Sequence, residues 1–367
     1  MILLKKIDDI SYFEVKGTII FALKGEVLLR TVLTFNSNFK EYILLKHKII
    51  PYLQISGSVV WIYLKEKTQE YSYTSDLIFL REYVNYSPRH IYDSIIVGDF
   101  KAGDNRFLQA RRVSNQEVVW NLSFTSPIIY FGEYIYLVEF CETLDKRSIN
   151  AINKDTGQIV WRYTLSETEV YYNGRKITDI QIANLLGVYN NLLWIVLNTG
   201  HFIGLSISDG SLIHHLKMPF NFPDDWKKYE TFSQAERSVL DTTEGKIFGI
   251  RSKIYWEIDL QNPETMYKYF DVSETCEKNN IEANLPGEPL CWQRDEIFIG
   301  QQEWSTNPSY VGIFNRKTKE ITWTSHEIGE PGIFKGLTKI AYAKTRLYVL
   351  DAQNTLHILE RESMGGG

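Results

Sequence analysis

Five times along this chain a strand runs into a tight turn, and a second strand leaves it to close on a ring eleven residues from the start. The clearest copy is Ala151–Trp161, with Thr156-Gly157 at the turn and Trp161 at the close. The same frame returns at Ala110–Trp120 and Ile313–Trp323. Two looser copies, Gly204–His214 and Glu257–Tyr267, keep the spacing and carry Asp209-Gly210 and Asn262-Pro263 at the turn. A hairpin of this size cannot bury its own apolar face. A repeated one must stack on its neighbours, which confines the chain to an array of like units.

The rest of the sequence fits that array. Strand-like runs follow turns at Thr18–Phe21, Val59–Tyr63, Ser94–Val97, Tyr134–Val138, Leu192–Val196, Lys246–Phe248, Glu296–Ile299 and Arg346–Leu350. Each fits the second strand of a four-stranded antiparallel meander, and short strands at this spacing read as an all-β propeller. The 367 residues accommodate eight blades of about 45 residues, with seven allowed. An aromatic content of 14% supports strands over helices.

The last blade is one strand short at the C-terminal end, and the apolar Ile2-Leu3-Leu4 start supplies its outer strand. Such closure would remove exposed sheet edges. The chain therefore reads as one propeller domain over residues 1–363, with residues 364–367 a cloning tail. Connections from the fourth strand to the next blade lengthen in the second half, near 166–177, 218–236, 272–288 and 324–335. In a meander they emerge on one face, joined there by the loop at 301–308.

The frame Ala-x-Asp-x-x-Thr-Gly-x-x-x-Trp resembles the repeats of the pyrroloquinoline-quinone (PQQ)-type propellers. Ala151, Thr156, Gly157 and Trp161 match it, with Asn153 in place of Asp, and Asp259 matches the acidic position of a looser copy. The resemblance implies that Trp120, Trp161, His214, Tyr267 and Trp323 are structural rings docking between adjacent blades. It also implies two alternatives for function: a PQQ-dependent oxidoreductase, or a cofactor-free envelope-assembly scaffold. The family's dehydrogenases carry adjacent cysteines, whereas Cys141, Cys276 and Cys291 lie far apart. No cofactor is expected.

Chemistry-bearing motifs are sparse. The sequence holds no phosphate-cradling glycine loop and no nucleophile elbow. His214-His215 is the one adjacent histidine pair, and neighbours on a strand face opposite ways, so no metal site is assigned to it. His47, His90, His201, His326 and His357 stand isolated. A net charge of −5 argues against nucleic acid as a partner. No apolar run spans a membrane, and the start Met1-Ile-Leu-Leu-Lys-Lys is no secretory signal, so a cytoplasmic location is expected.

Aromatic anchors within a polar rim mark the long connections: Tyr171, Tyr172, Phe222, Asp224, Asp225, Trp226, Tyr229, Glu274, Glu277 and Trp304. These are the candidate partner-binding residues, and the acidic bias near Glu274 favours a basic protein. The functional expectation is a non-catalytic propeller that docks a protein partner, an immunity-type inhibitor of a bacterial toxin or effector being the specific form.

Overall fold

A computed structural model describes the chain except residues 17–18, 25–26, 34–38, 47–51, 57, 64–66, 73–77, 104, 124–127, 140–147, 166–170, 173–174, 177–179, 218–236, 265–266, 282, 284–289, 302–307, 329–332 and 362–367. Its elements divide into two compact regions, Met1–Ser87 with Val272–Gly367, and Pro88–Asp271.

The first region opens with β1 (Ile2–Ile7). One meander follows as β2 (Ile10–Lys16), β3 (Ile19–Lys24), β4 (Val27–Leu33) and β5 (Phe39–Lys46), and another as β6 (Tyr52–Ser56), β7 (Val59–Tyr63), β8 (Lys67–Ser72) and β9 (Ile78–Val84). The second region carries β10 (Tyr86–Tyr92, begun at the boundary), β11 (Ile95–Ala102), β12 (Asn105–Arg112) and β13 (Val118–Ser123). Next come β14 (Ile129–Phe131), β15 (Ile135–Glu139), β16 (Ser148–Ile152) and β17 (Ile159–Thr164). A small hairpin of β18 (Tyr171–Tyr172) and β19 (Arg175–Lys176) intervenes. Two more meanders complete the region: β20 (Ile182–Tyr189), β21 (Leu192–Leu197), β22 (Phe202–Ser206) and β23 (Leu212–Leu216), then β24 (Val239–Asp241), β25 (Lys246–Arg251), β26 (Ile254–Asp259) and β27 (Lys268–Asp271).

The chain re-enters the first region through α1 (Ser273–Asn279). It then forms β28 (Cys291–Gln293), β29 (Glu296–Gln301), β30 (Pro308–Asn315), β31 (Glu320–Thr324) and a short β32 (Phe334–Lys335) beside β30. The last strands, β33 (Leu337–Ala343), β34 (Arg346–Asp351) and β35 (Leu356–Glu360), are completed by β1.

The fold is an all-β propeller. Among the described residues seven sheets are four-stranded antiparallel blades, and an eighth follows the same path with β32 added. Each of the eight anchor runs read from sequence falls on the second strand of its sheet. The expected closure is present: β1 pairs antiparallel with β35, Ile2 opposite Glu360 and Ile7 opposite Leu356.

The repeated frame has a physical basis at three of its positions. At position seven stand Gln116, Gly157, Gly210 and Lys319, all left-handed, with φ of 61°, 71°, 74° and 64°. In every case that residue's N–H donates to the carbonyl of position three (Arg112, Asn153, Ser206 or Asn315) at 2.8–2.9 Å. The side chains of Asn153 and Asn315 also accept backbone N–H bonds from the turn, which is why a short polar residue suits position three. A β-bulge then falls one residue before the ring in all four copies, opposite Ala110, Ala151, Gly204 and Ile313.

The ring locks one blade to the next. Trp120 donates its indole N–H to Lys154 O at 2.7 Å, and Trp161 does the same to Ile207 O at 2.8 Å. Both acceptors occupy position four of the following copy. Trp120 also lies over Gly157, where a Cβ would approach its Cγ to 2.7 Å, and Trp161 lies over Gly210 with 2.6 Å to Cε3. Glycine there meets two demands at once, a left-handed backbone and room for a neighbour's indole.

The remaining rings behave differently. His214 stacks on Trp194 of its own sheet, 5.7 Å between centroids, rather than on a neighbouring blade. The looser copy at 257–267 holds Pro263 at position seven, where the fixed φ of proline forbids the left-handed turn. Its register differs accordingly, Glu257 pairing with Lys268 instead of Tyr267. Tyr267 turns back on the preceding sheet, donating to Gly200 O at 3.1 Å and meeting Phe202 edge-on. Trp323 is buried with Ile313, Phe298, Phe334 and Leu337.

Cores lie between successive sheets. In the second region one core combines Ala110 and Trp120 with Ile135 and Ile152, and the next combines Ala151 and Trp161 with Leu193 and Leu205. The sheet β6–β9 departs from this apolar scheme. Thr68, Gln69 and Glu70 are buried in β8, and Glu70 accepts from Trp61 Nε1 (2.8 Å) and Tyr83 Oη (2.6 Å) while pairing with Arg81. A carboxylate can be buried there because its charge and lone pairs are met.

Candidate functional site

Among the described residues, the fourth strands of these sheets end at Thr164, Leu216, Asp271 and Thr324, and the following sheets begin at Ile182, Val239, Cys291 and Leu337. Of the candidate partner-binding residues, Phe222, Asp224, Asp225, Trp226, Tyr229 and Trp304 lie outside the described residues. Tyr171 and Tyr172 form β18, paired with Lys176 and Arg175. Glu274 and Glu277 are the candidates whose side-chain exposure the structure describes.

Both glutamates project from α1, a helix the strand-based reading does not anticipate. Its start has no side-chain cap, and its end is closed by Asn280 in the left-handed region at φ 49°. The N–H of Asn280 returns to Glu277 O and that of Ile281 to Cys276 O. One side of the helix is fastened down: Val272, Thr275, Cys276 and Ile281 are buried. Thr275 Oγ1 accepts the backbone N–H of Ile321 on β31 at 2.9 Å, and Asn279 Nδ2 donates to Thr275 O at 2.8 Å. The opposite side leaves Glu274, Glu277 and Lys278 exposed. Nearby, His326 stacks on Tyr310 with centroids 3.9 Å apart and lies 3.4 Å from Asn280 O. The result is a rigid, net-acidic step with an aromatic neighbour.

Histidines that stand apart in the sequence meet across strands. His215 does not pair with His214; its Nε2 lies 3.0 Å from Nδ1 of His201, at the start of β22. Burial pushes His201 down to about 3, with His215 and Lys217 adding to the effect, and burial also lowers His215. The two imidazoles are thus a neutral hydrogen-bonded pair. His357 Nε2 meets Asp351 Oδ2 at 2.9 Å in the interior of β34 and β35. Burial alone would raise the Asp351 carboxyl, but bonds from His357 and from the backbone N–H of Thr355 and Lys335 outweigh it and hold it below its ordinary range. The signal for both pairs was present as isolated histidines, yet the spacing of partners depends on strand register, which no local pattern states. Among the described residues no three histidine, cysteine or carboxylate side chains gather as metal ligands. Cys276 and Cys291 are free thiols, and burial raises Cys291 to about 12. No helix among the described residues is long and apolar enough to cross a membrane.

Solved structures share this architecture across nearly the whole chain. The C-terminal WD40 domain of Sif2 aligns over 98% of each chain with a TM-score of 0.60 at 10% identity. Sqt1 of Saccharomyces cerevisiae aligns over 98% of this chain and 97% of its own, with a TM-score of 0.58 at 11% identity. These likenesses establish the propeller fold. A europium-containing methanol dehydrogenase aligns over 95% of this chain and 84% of its own, with a TM-score of 0.51 at 11% identity. At such identities the likeness shows the fold alone. No protein-family model matches the sequence, and neither does any curated protein.

Proposed function

We propose that this chain is a non-catalytic, protein-binding propeller whose long connections dock a basic partner. The observation that carries the reading is α1: the helix is anchored through Thr275 and presents Glu274 and Glu277 to solvent. A fixed acidic step steers a cationic protein into register and speeds its encounter. The most strongly shifted titratable groups, among them His201, Cys291 and Tyr267, owe their shifts first to burial between strands. That is the pattern of packing rather than of a catalytic cleft.

Within this reading, an immunity-type inhibitor of a toxin or effector, acting in the cytoplasm, is the form we favour. The frame at Ala151–Trp161 is read as a PQQ-type repeat used as scaffold. The test is affinity purification from the cell of origin, followed by binding kinetics with the recovered protein. The expected result is one dominant basic partner whose association slows several-fold when salt shortens the Debye length, and slows likewise for Glu274→Lys/Glu277→Lys. Association unaffected by both salt and charge reversal would overturn the assignment.

A further inference from the structure

Strands β13, β17 and β23 end consecutive sheets, so among the described residues each has one edge with no neighbouring strand. At the two positions before the ring they expose large apolar side chains: Val118 (48%), Ile159 (50%), Val160 (45%), Leu212 (37%) and Ile213 (52%). Strand β31 has the same left-handed turn and the same bulge, yet its equivalent, Ile321, is 7% exposed. Helix α1 covers it, and Thr275 Oγ1 takes the outward N–H of Ile321. Because turn, register and bulge are common to the four copies, Val118, Ile159 and Leu212 turn the corresponding N–H outward.

We propose that these three edges are a second docking surface, for a partner protein that offers a short amphipathic helix. The occupant's buried side would carry apolar–x–x–Ser/Thr–apolar spacing, as the N-cap residue Val272 with Thr275 and Cys276 of α1 does. The helix supplies apolar cover for the two exposed residues and a hydroxyl for the edge N–H. An added strand fits less well, because the bulge interrupts the ladder where pairing would begin. Among the described residues the contact is filled at one edge, by α1, and unfilled at these three. This inference is independent of the acidic face of α1.

The probe is a synthetic peptide of Val272–Ile281, held helical by a lactam between the exposed side chains of Glu274 and Lys278. It is titrated into the full chain labelled at isoleucine and valine methyls. A single step is small, so binding with a dissociation constant of about 1 mM or tighter is expected. Ile159, Val160, Ile213 and Val118 methyls should shift saturably, and buried Ile149 should not. Replacing Thr275 by Val in the peptide should weaken binding by about fivefold, the loss of one hydrogen bond. Ile159→Asp/Ile213→Asp should abolish the shifts at those steps with melting temperature retained. No shifts at about 2 mM peptide, or equal binding of the Val peptide, would overturn the proposal. So would the same shifts on concentrating the protein without peptide, which would assign the edges to a second copy.

Discussion

The copies of the frame at Ala151–Trp161 and Ile313–Trp323 fold to the same turn and the same bulge, but their outer edges differ. In the first, Ile159 and Val160 face solvent; in the second, Ile321 is sealed under α1. The last sheet lacks such a hairpin altogether: its outer strand, β1, comes from the start of the chain and pairs with the third strand, β35. The hairpin is set by eleven residues, whereas its cover comes from chain far away in sequence. An edge can therefore be bare or capped by a helix without any change in the hairpin that makes it.

Removing the strand cover is the most severe way to break this comparison. Deleting residues 1–8 strips β1 from β35 and removes Ile7, Met1 and Leu3 from their clusters. A loss above about 4 kcal/mol is expected in urea unfolding, and an unchanged midpoint would show that β35 needs no partner. Acidification divides the sheets next. The folded pKa of His201 lies below its unfolded value, so its contribution is fully present above about pH 6.5 and is lost as pH falls toward about 3. The slope should reach about 1.4 kcal/mol per pH unit and flatten in His201→Phe. Asp351, lowered from an already acidic value, should matter only below its ordinary carboxylate range.

Gly157→Ala would set a Cβ against Trp120 in a left-handed turn and should cost about 2–4 kcal/mol by thermal unfolding. Thr275→Val leaves the buried N–H of Ile321 without its acceptor and should cost about 1–3 kcal/mol. Ile159→Thr, on a bare edge, should stay within about 0.5 kcal/mol. Equal effects of these last two would erase the distinction between covered and bare edges. The smallest change is a gain: Gln116→Gly relieves a left-handed non-glycine residue and should stabilise by up to about 1 kcal/mol.

Much of the architecture was legible because it is local. Short apolar runs after tight turns marked the second strand of each sheet, and Thr156-Gly157 before Trp161 marked the turn, the bulge and the ring together. The misreading was not local: His214 occupies the ring position but stacks on Trp194 of its own sheet. Tyr267 does dock on an adjacent sheet, but on the preceding one, because Pro263 cannot take the left-handed turn. Of the candidate docking residues, Glu274 and Glu277 are defined because Thr275 and Cys276 between them anchor α1, a contact 46 residues away along the chain.

By itself, then, the amino-acid order determined the repeating hairpin, since turn chemistry and a period of two act over a few residues. It determined the need for stacking as well, because one hairpin cannot shield its own apolar face. Only the tertiary structure decided which edges are covered, which histidines meet and which acids form a fixed surface. Those outcomes depend on register between distant strands, where the free energy resides in contacts that neither partner's neighbourhood encodes.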